Sequence, residues 1–208
     1  IDFFTSGNHI FNKREAVDAL ESKDWPIIRP ANFSFKAPGD GFRIVNVGVR
    51  KVLIINLIGR VFMHRQHDDP FKCADDILDD YGFVKNKPAD LSGDVILVDC
   101  HAEATSEKMA FGWYLDGRVS AVLGTHTHIP TADSRVLPGG TAYISDVGMV
   151  GPRDSILGVD KDAVVQGFLT QMSQKFEIAS GPVEINFLLL DIDEKTGLAQ
   201  NIEKRQEI

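Results

Sequence analysis

The run from Asp94 to Cys100 (DVILVDC) constrains the fold of this chain most. It is short and apolar, the pattern of a buried strand. A helical stretch from about Ser106 to Leu115 and a second β-rich run, Val119 to Leu123, follow it. The same alternation holds along the whole chain. A helix is expected to about Ser22, with Asn12 as N-cap, Glu15 completing a capping box, and Ala16, Val17 and Leu20 buried. Phe42 to Val47 and Lys51 to Ile58 read as a hairpin around Gly48. Asp69 is expected to cap a second helix, with Pro70 at its first position and its end near Gly82. Thr141 to Asp146 reads as a strand, Lys161 to Met172 as a helix, and Glu184 to Asp193 as the final strand. Gly39-Asp40-Gly41 and Gly139-Gly140 read as turns. No repeat or linker interrupts the pattern, so one α/β domain over residues 1–208 is expected.

With 208 residues, 43% of them hydrophobic, the chain is long enough to bury such a core. Its net charge of -8 argues against holding long nucleic acid by charge alone. A small phosphorylated substrate stays compatible, because bound metal ions supply positive charge locally. Cys73 and Cys100 form no CxxC pair, so a disulfide framework is not expected and a cytoplasmic setting is. No apolar run approaches the roughly 18 residues needed to span a bilayer, and no signal-peptide pattern is read at the start. Ile1-Asp2-Phe3-Phe4 reads as the interior of something longer, and an N-terminal segment is expected ahead of it.

Four of the six histidines follow short β-rich runs at three separate places. They are His9 in Gly7-Asn8-His9, His101, and the pair in Gly124-Thr125-His126-Thr127-His128. Two histidines at i and i+2 of extended backbone project to one side and suit one or two cations of the Zn, Mn or Fe type. They would sit just past a strand, where α/β folds place ligands. Each has an ordinary reading alone: a satisfied or exposed pair, a capping or core His101, and a structural Asn8 in a turn that Gly7 permits. Together they point to a metal centre. His64 and His67, in a polar stretch before the second helix, read as a solvated loop. Cys100 reads as a buried residue facing away from His101. Asp99 and Glu103 read either as acceptors able to orient an imidazole or as surface and capping groups. No G-x-S-x-G elbow, Walker-A loop or activated cysteine points to another catalytic class.

Those residues, in that order, resemble the calcineurin-like metallophosphoesterases. Longer words resemble the bacterial YmdB-like branch: Arg29-Pro30-Ala31-Asn32-Phe33, Gly59-Arg60-Val61-Phe62-Met63 and His101-Ala102-Glu103-Ala104-Thr105-Ser106-Glu107-Lys108. Gly112-Trp113-Tyr114-Leu115-Asp116-Gly117-Arg118 and Asp146-Val147-Gly148-Met149 carry the match over nearly the whole chain. The resemblance implies a four-layer α/β/β/α sandwich with a dinuclear centre between loops at the strand ends. It implies hydrolysis of small phosphodiesters, 2′,3′-cyclic nucleotides and cAMP among them. Asn8, His101 and His126 would ligate one metal, His128 the other, and His9 would protonate the leaving oxygen. The two ions would be divalent or trivalent, with Fe and Mn favoured over Mg and Zn.

The family pattern also includes Gly-Asp and Glu-Asn motifs that belong upstream of Ile1. They supply an aspartate to one metal and the carboxylate that bridges both. A first strand-helix unit goes with them, and without it apolar surface would be exposed. The chain as given is therefore expected to hold at best one metal and to be impaired. Asn12 stands where relatives commonly carry Asp. The leading expectation is a metal-dependent phosphodiesterase using metal-activated water, with His9 as general acid. A non-catalytic regulatory or scaffolding protein of the same fold is the first rival, and a metal-dependent amide hydrolase the second. The sequence leaves homo-oligomerisation open.

Overall fold

A computed structural model describes residues 1–22, 24–81 and 93–208. Strands β1 (Phe42–Val47) and β2 (Arg50–Ile58) form the expected hairpin, with Gly48 at φ 60° in its turn. From β2 the sheet runs parallel through β3 (Val95–His101) and β4 (Ala121–Thr125). The short β5 (Arg135–Val136) forms the far edge, antiparallel to β6 (Ala142–Ile144), which lies parallel beside β4. Parallel neighbours end along one edge of a sheet. Here Ile58 is paired with His101, and His101 with Thr125. That register sets three loops side by side.

The apolar run in β3 has no polar face because both faces are covered. Ile96, Val98 and Cys100 pack towards Ala74, Ile77 and Leu78 of helix α2 (Pro70–Asp80) and Phe111 and Leu115 of α3 (Thr105–Leu115). Leu97 instead joins Ala121, Leu123 and Ala142 against a second, antiparallel sheet of β7 (Val150–Pro152), β8 (Val183–Ile192) and β9 (Ala199–Glu207). Leu190, Ile192, Ala199 and Ile202 supply that side of the contact. Each fully buried aliphatic side chain contributes on the order of 2 kcal/mol. Helix α4 (Lys161–Thr170), inserted between β7 and β8, buries none of its residues. Helices α2 and α3, the first sheet and the second sheet give three of the four layers of the expected α/β/β/α sandwich, and α4 lies between β7 and β8 in sequence.

Asp69 caps α2 as expected, its Oδ1 accepting from the backbone N–H groups of Phe71 and Lys72. The helix ends at Asp80, and Gly82 lies outside the described residues. The first helix differs from expectation. Helix α1 runs over Arg14–Glu21 with Lys13 as N-cap and no side-chain cap bond, so Asn12 and Glu15 form no capping box. The Asn12 amide is engaged with His9 instead. Leu20 is buried in α1, whereas Ala16 and Val17 are only half-buried. Nor is Glu184 to Asp193 the final strand: β9 follows it and pairs along its length. Its sequence AQNIEKRQE reads as polar because Ala199 alone is fully buried. Among the described residues no helix is long and apolar enough to cross a membrane.

Candidate metal centre

The segment carrying Gly7-Asn8-His9 is fastened to the sheet by its backbone. The Phe4 N–H donates to Pro26 O at 2.7 Å, and the Ile28 N–H donates to Phe4 O at 3.1 Å. Buried Asn56 of β2 donates through Nδ2 to Ser6 O at 2.6 Å. These bonds bring Asn8 to the ends of β3 and β4. Gly7 is needed there for space and not for a left-handed turn. A Cβ on it would lie 2.3 Å from Cε1 and Nε2 of His101. Gly7→Ala must therefore displace the His101 ring. It is expected to lower kcat/KM by about 100-fold, the cost of roughly 1 Å of misplacement, with the circular dichroism spectrum unchanged. Undiminished activity in that variant would show that the close approach is irrelevant.

Three donor atoms converge at the strand ends. Asn8 Oδ1 lies 3.0 Å from His101 Nε2, and His126 Nδ1 lies 3.1 Å from the same nitrogen. The remaining nitrogen of each ring is engaged elsewhere. Thr125 gives its hydroxyl hydrogen to Asp99 Oδ1 at 2.8 Å, so it accepts from His101 Nδ1 at 3.0 Å. His126 Nε2 lies 3.0 Å from Glu103 Oε2. Each ring thus carries its proton on the outward nitrogen. The inward ones keep their lone pairs, which face each other and the amide oxygen. Burial, and then the neighbouring His126, pushes His101 down to about 3. His126 is also lowered, chiefly by burial and against the pull of Glu103. Burial pushes Asp99 up to about 6, although hydrogen bonds from Thr5 and Thr125 oppose the shift. Of the two acidic neighbours, Asp99 reaches His101 through Thr125, and Glu103 meets His126.

The backbone of the histidine pair is not extended. His126 has φ 100° and His128 φ 69°, so a period of two does not place them. Left-handed backbone costs a non-glycine residue on the order of 1–3 kcal/mol. Thr127 anchors the loop in that shape. Its N–H and hydroxyl both donate to Asp146 Oδ2, at 2.9 and 2.7 Å. The same oxygen accepts from Lys108 Nζ at 2.9 Å. His128 stands apart from the other rings. Its Nδ1 donates to Leu157 O at 3.2 Å, so Nε2 is the ring nitrogen free of that bond.

His9 is exposed, and its Nδ1 accepts from Asn12 Nδ2 at 2.9 Å, which places its proton on Nε2. It lines a cleft of about 220 Å³ with Asn8, Asn12, Met63, His64, Arg65 and His67. His64 is exposed, as expected of a solvated loop, whereas His67 is half-buried, and both border this cleft. Among the described residues, no three His, Cys, Asp or Glu side chains gather so as to hold a metal by themselves. The gathered donors are two imidazoles and an amide oxygen. Lys108, Thr125, Asp146 and Leu157 were assigned no role from the sequence because the group that each one meets lies on another element.

A family model described as YmdB-like protein matches residues 1–205. The chain is 45% identical over 204 residues to the 2′,3′-cyclic-nucleotide 2′-phosphodiesterase of Bacillus subtilis (strain 168), in a match that spans 98% of this chain and 73% of that protein. A solved structure described as a hypothetical protein from Thermus thermophilus has a TM-score of 0.87 at 40% identity, covering all of this chain and 76% of that one. A structure described as a novel phosphatase from Mycoplasma pneumoniae has a TM-score of 0.86 at 31% identity, covering all of this chain and 72% of that one.

Proposed function

The chain belongs to the YmdB-like protein family, and from that premise we propose that it is a metal-dependent phosphodiesterase acting on small phosphodiesters of the 2′,3′-cyclic nucleotide type. The observation that carries the reading is the meeting of three lone pairs at Asn8 Oδ1, His101 Nε2 and His126 Nδ1. Without a cation between them they repel. Three acceptor atoms gathered this closely suit a shared cation. The separations from His101 Nε2 are 3.0 and 3.1 Å. Asn8, His101 and His126 would hold one cation, and His128 Nε2 would be a ligand of a second. A His and amide donor set accepts Fe, Mn, Zn or Mg, with Fe and Mn our preferred assignment. Bound there, such cations lower the pKa of a water and neutralise the phosphoryl oxygens.

The chain's own residues do the rest. Thr125 and Glu103 fix the ring protons outward, so that neither imidazole must be reorganised when a cation arrives. Asn12 holds His9 Nδ1 and leaves Nε2–H facing the cleft. Once protonated on both nitrogens, with the Asn12 amide turned so that its oxygen accepts from Nδ1–H, His9 would donate its Nε2 proton to the leaving oxygen of a bound diester. The test uses the protein expressed from its full reading frame. Metal content is measured together with turnover of bis-(p-nitrophenyl)phosphate and 2′,3′-cyclic AMP. Activity is expected to vanish on chelation and to return with Mn or Fe. A metal-free protein that turns over neither ester would overturn the reading and favour a scaffolding role.

A further inference from the structure

We infer that the cleft beside His9 continues into a nucleobase-binding subsite whose platform is the Phe33–His67 stack, an inference that rests on the phosphodiesterase reading above. Two loops build it, and Asn32 clamps them together. Buried Asn32 donates through Nδ2 to Ile58 O at 2.7 Å and to Asp68 O at 2.8 Å, and its Oδ1 accepts from the Ile58 N–H at 2.9 Å. The Asp68 N–H returns a bond to Asn32 O at 3.1 Å. Both loops are thus tied to the end of β2, whose last residue is register-paired with His101.

The clamp sets the Phe33 and His67 rings 4.7 Å apart and 15° from parallel, with Phe11 behind at 5.7 Å. His67 and Arg65 line the cleft that holds Asn8 and His9. They also line an adjoining cleft of about 530 Å³ that contains Phe33 and Phe35. One surface therefore leads from the converging donors to the aromatic rings. Phe35 is 88% exposed there. Among the described residues no carboxylate comes within ion-pair distance of Arg65. Burial, and then the charge of Arg65, lowers His67 against the pull of Asp68, which favours the neutral ring for stacking. An unpaired guanidinium next to stacked rings and an exposed phenyl matches a flat heterocycle attached to a phosphate. Aromatic platforms accept any base, because each base has a π-face.

The experiment compares 2′,3′-cyclic AMP with glycerol 1,2-cyclic phosphate, the same five-membered diester without ribose or base. The metal-loaded protein from the full reading frame is assayed as wild type, Phe33→Leu and His67→Ala. In wild type the nucleotide is expected to show the lower KM. In both variants the nucleotide-to-glycerol ratio of kcat/KM is expected to fall about tenfold, carried by KM. A wild type with equal KM for the two esters overturns the subsite, as does a parallel loss on both esters in both variants, which would mark a structural stack. Turnover of neither ester by wild type overturns the phosphodiesterase reading itself, and the subsite falls with it.

Discussion

Replacing His101 with alanine is expected to lower kcat/KM for a phosphodiester by about 10⁴-fold, roughly 5.5 kcal/mol of transition-state stabilisation. Its Nε2 faces both Asn8 and His126, so its removal dismantles the donor set at its centre. Metal content measured alongside should fall with the activity. The rise in melting temperature that wild type shows on metal addition should disappear. Thr125→Val supplies the graded comparison. It keeps the ring but removes the hydroxyl that accepts its Nδ1 proton, and is expected to cost about 10- to 100-fold in metal affinity. Retention of metal and activity by His101→Ala would refute the assignment.

The same ring gives the metal-free protein a pH signature. Its folded value is pushed down from 6.5 to about 3, so the unfolded chain takes up a proton that the buried ring refuses. Stability is therefore lost as pH falls from about 6.5 towards 3. Asp99, pushed up from 3.8 to about 6, acts in the opposite sense, gaining stability as pH falls through that interval. The difference between wild type and His101→Ala, measured across acid pH without metal, isolates the histidine. Parallel curves would mean that the ring is not desolvated as described.

How much of this was legible in the sequence depended on how local each cause is. The DVILVDC run declared itself because a strand covered on both faces has no polar positions to interrupt it. The three histidine places could be read because residues that carry such chemistry are few and here end β-rich runs. The geometry of the pair was misread because the hold on Thr127 comes from Asp146, 19 residues further along the chain. Asn12 was misread for a different reason. Its side chain had two short-range partners available, the helix start and the His9 ring, and local rules favour the cap. His67 looked solvated because the partner that half-buries it, Phe33, lies on another loop. Strand β9 carried no signal because pairing with β8, and not burial, makes it a strand.

Asp146→Leu is expected to be the most destabilising substitution near the site, costing about 3–5 kcal/mol, or about 10 °C in melting temperature for a chain of this size. Both side chains of the Lys108–Asp146 pair are 2% exposed, so the variant strands an ammonium in the interior. Lys108→Met should cost less. The carboxylate it leaves behind still accepts from the Thr127 N–H and hydroxyl and from the Gly148 N–H. Burial pushes the Asp146 carboxyl up, but its bonds to Lys108, Thr127 and Gly148 outweigh that and hold it below 3.8. Its contribution is thus complete above pH 3.8 and is lost as pH falls through the depressed value. The double variant Lys108→Met with Asp146→Leu separates charge from anchoring. It removes the unpaired ion and should recover part of the stability, because apolar replacement of a buried pair is often close to neutral. Activity should not recover, because Thr127 still lacks the acceptor that holds His126 and His128 at positive φ. A double variant with restored turnover would show that Asp146 serves only to neutralise Lys108.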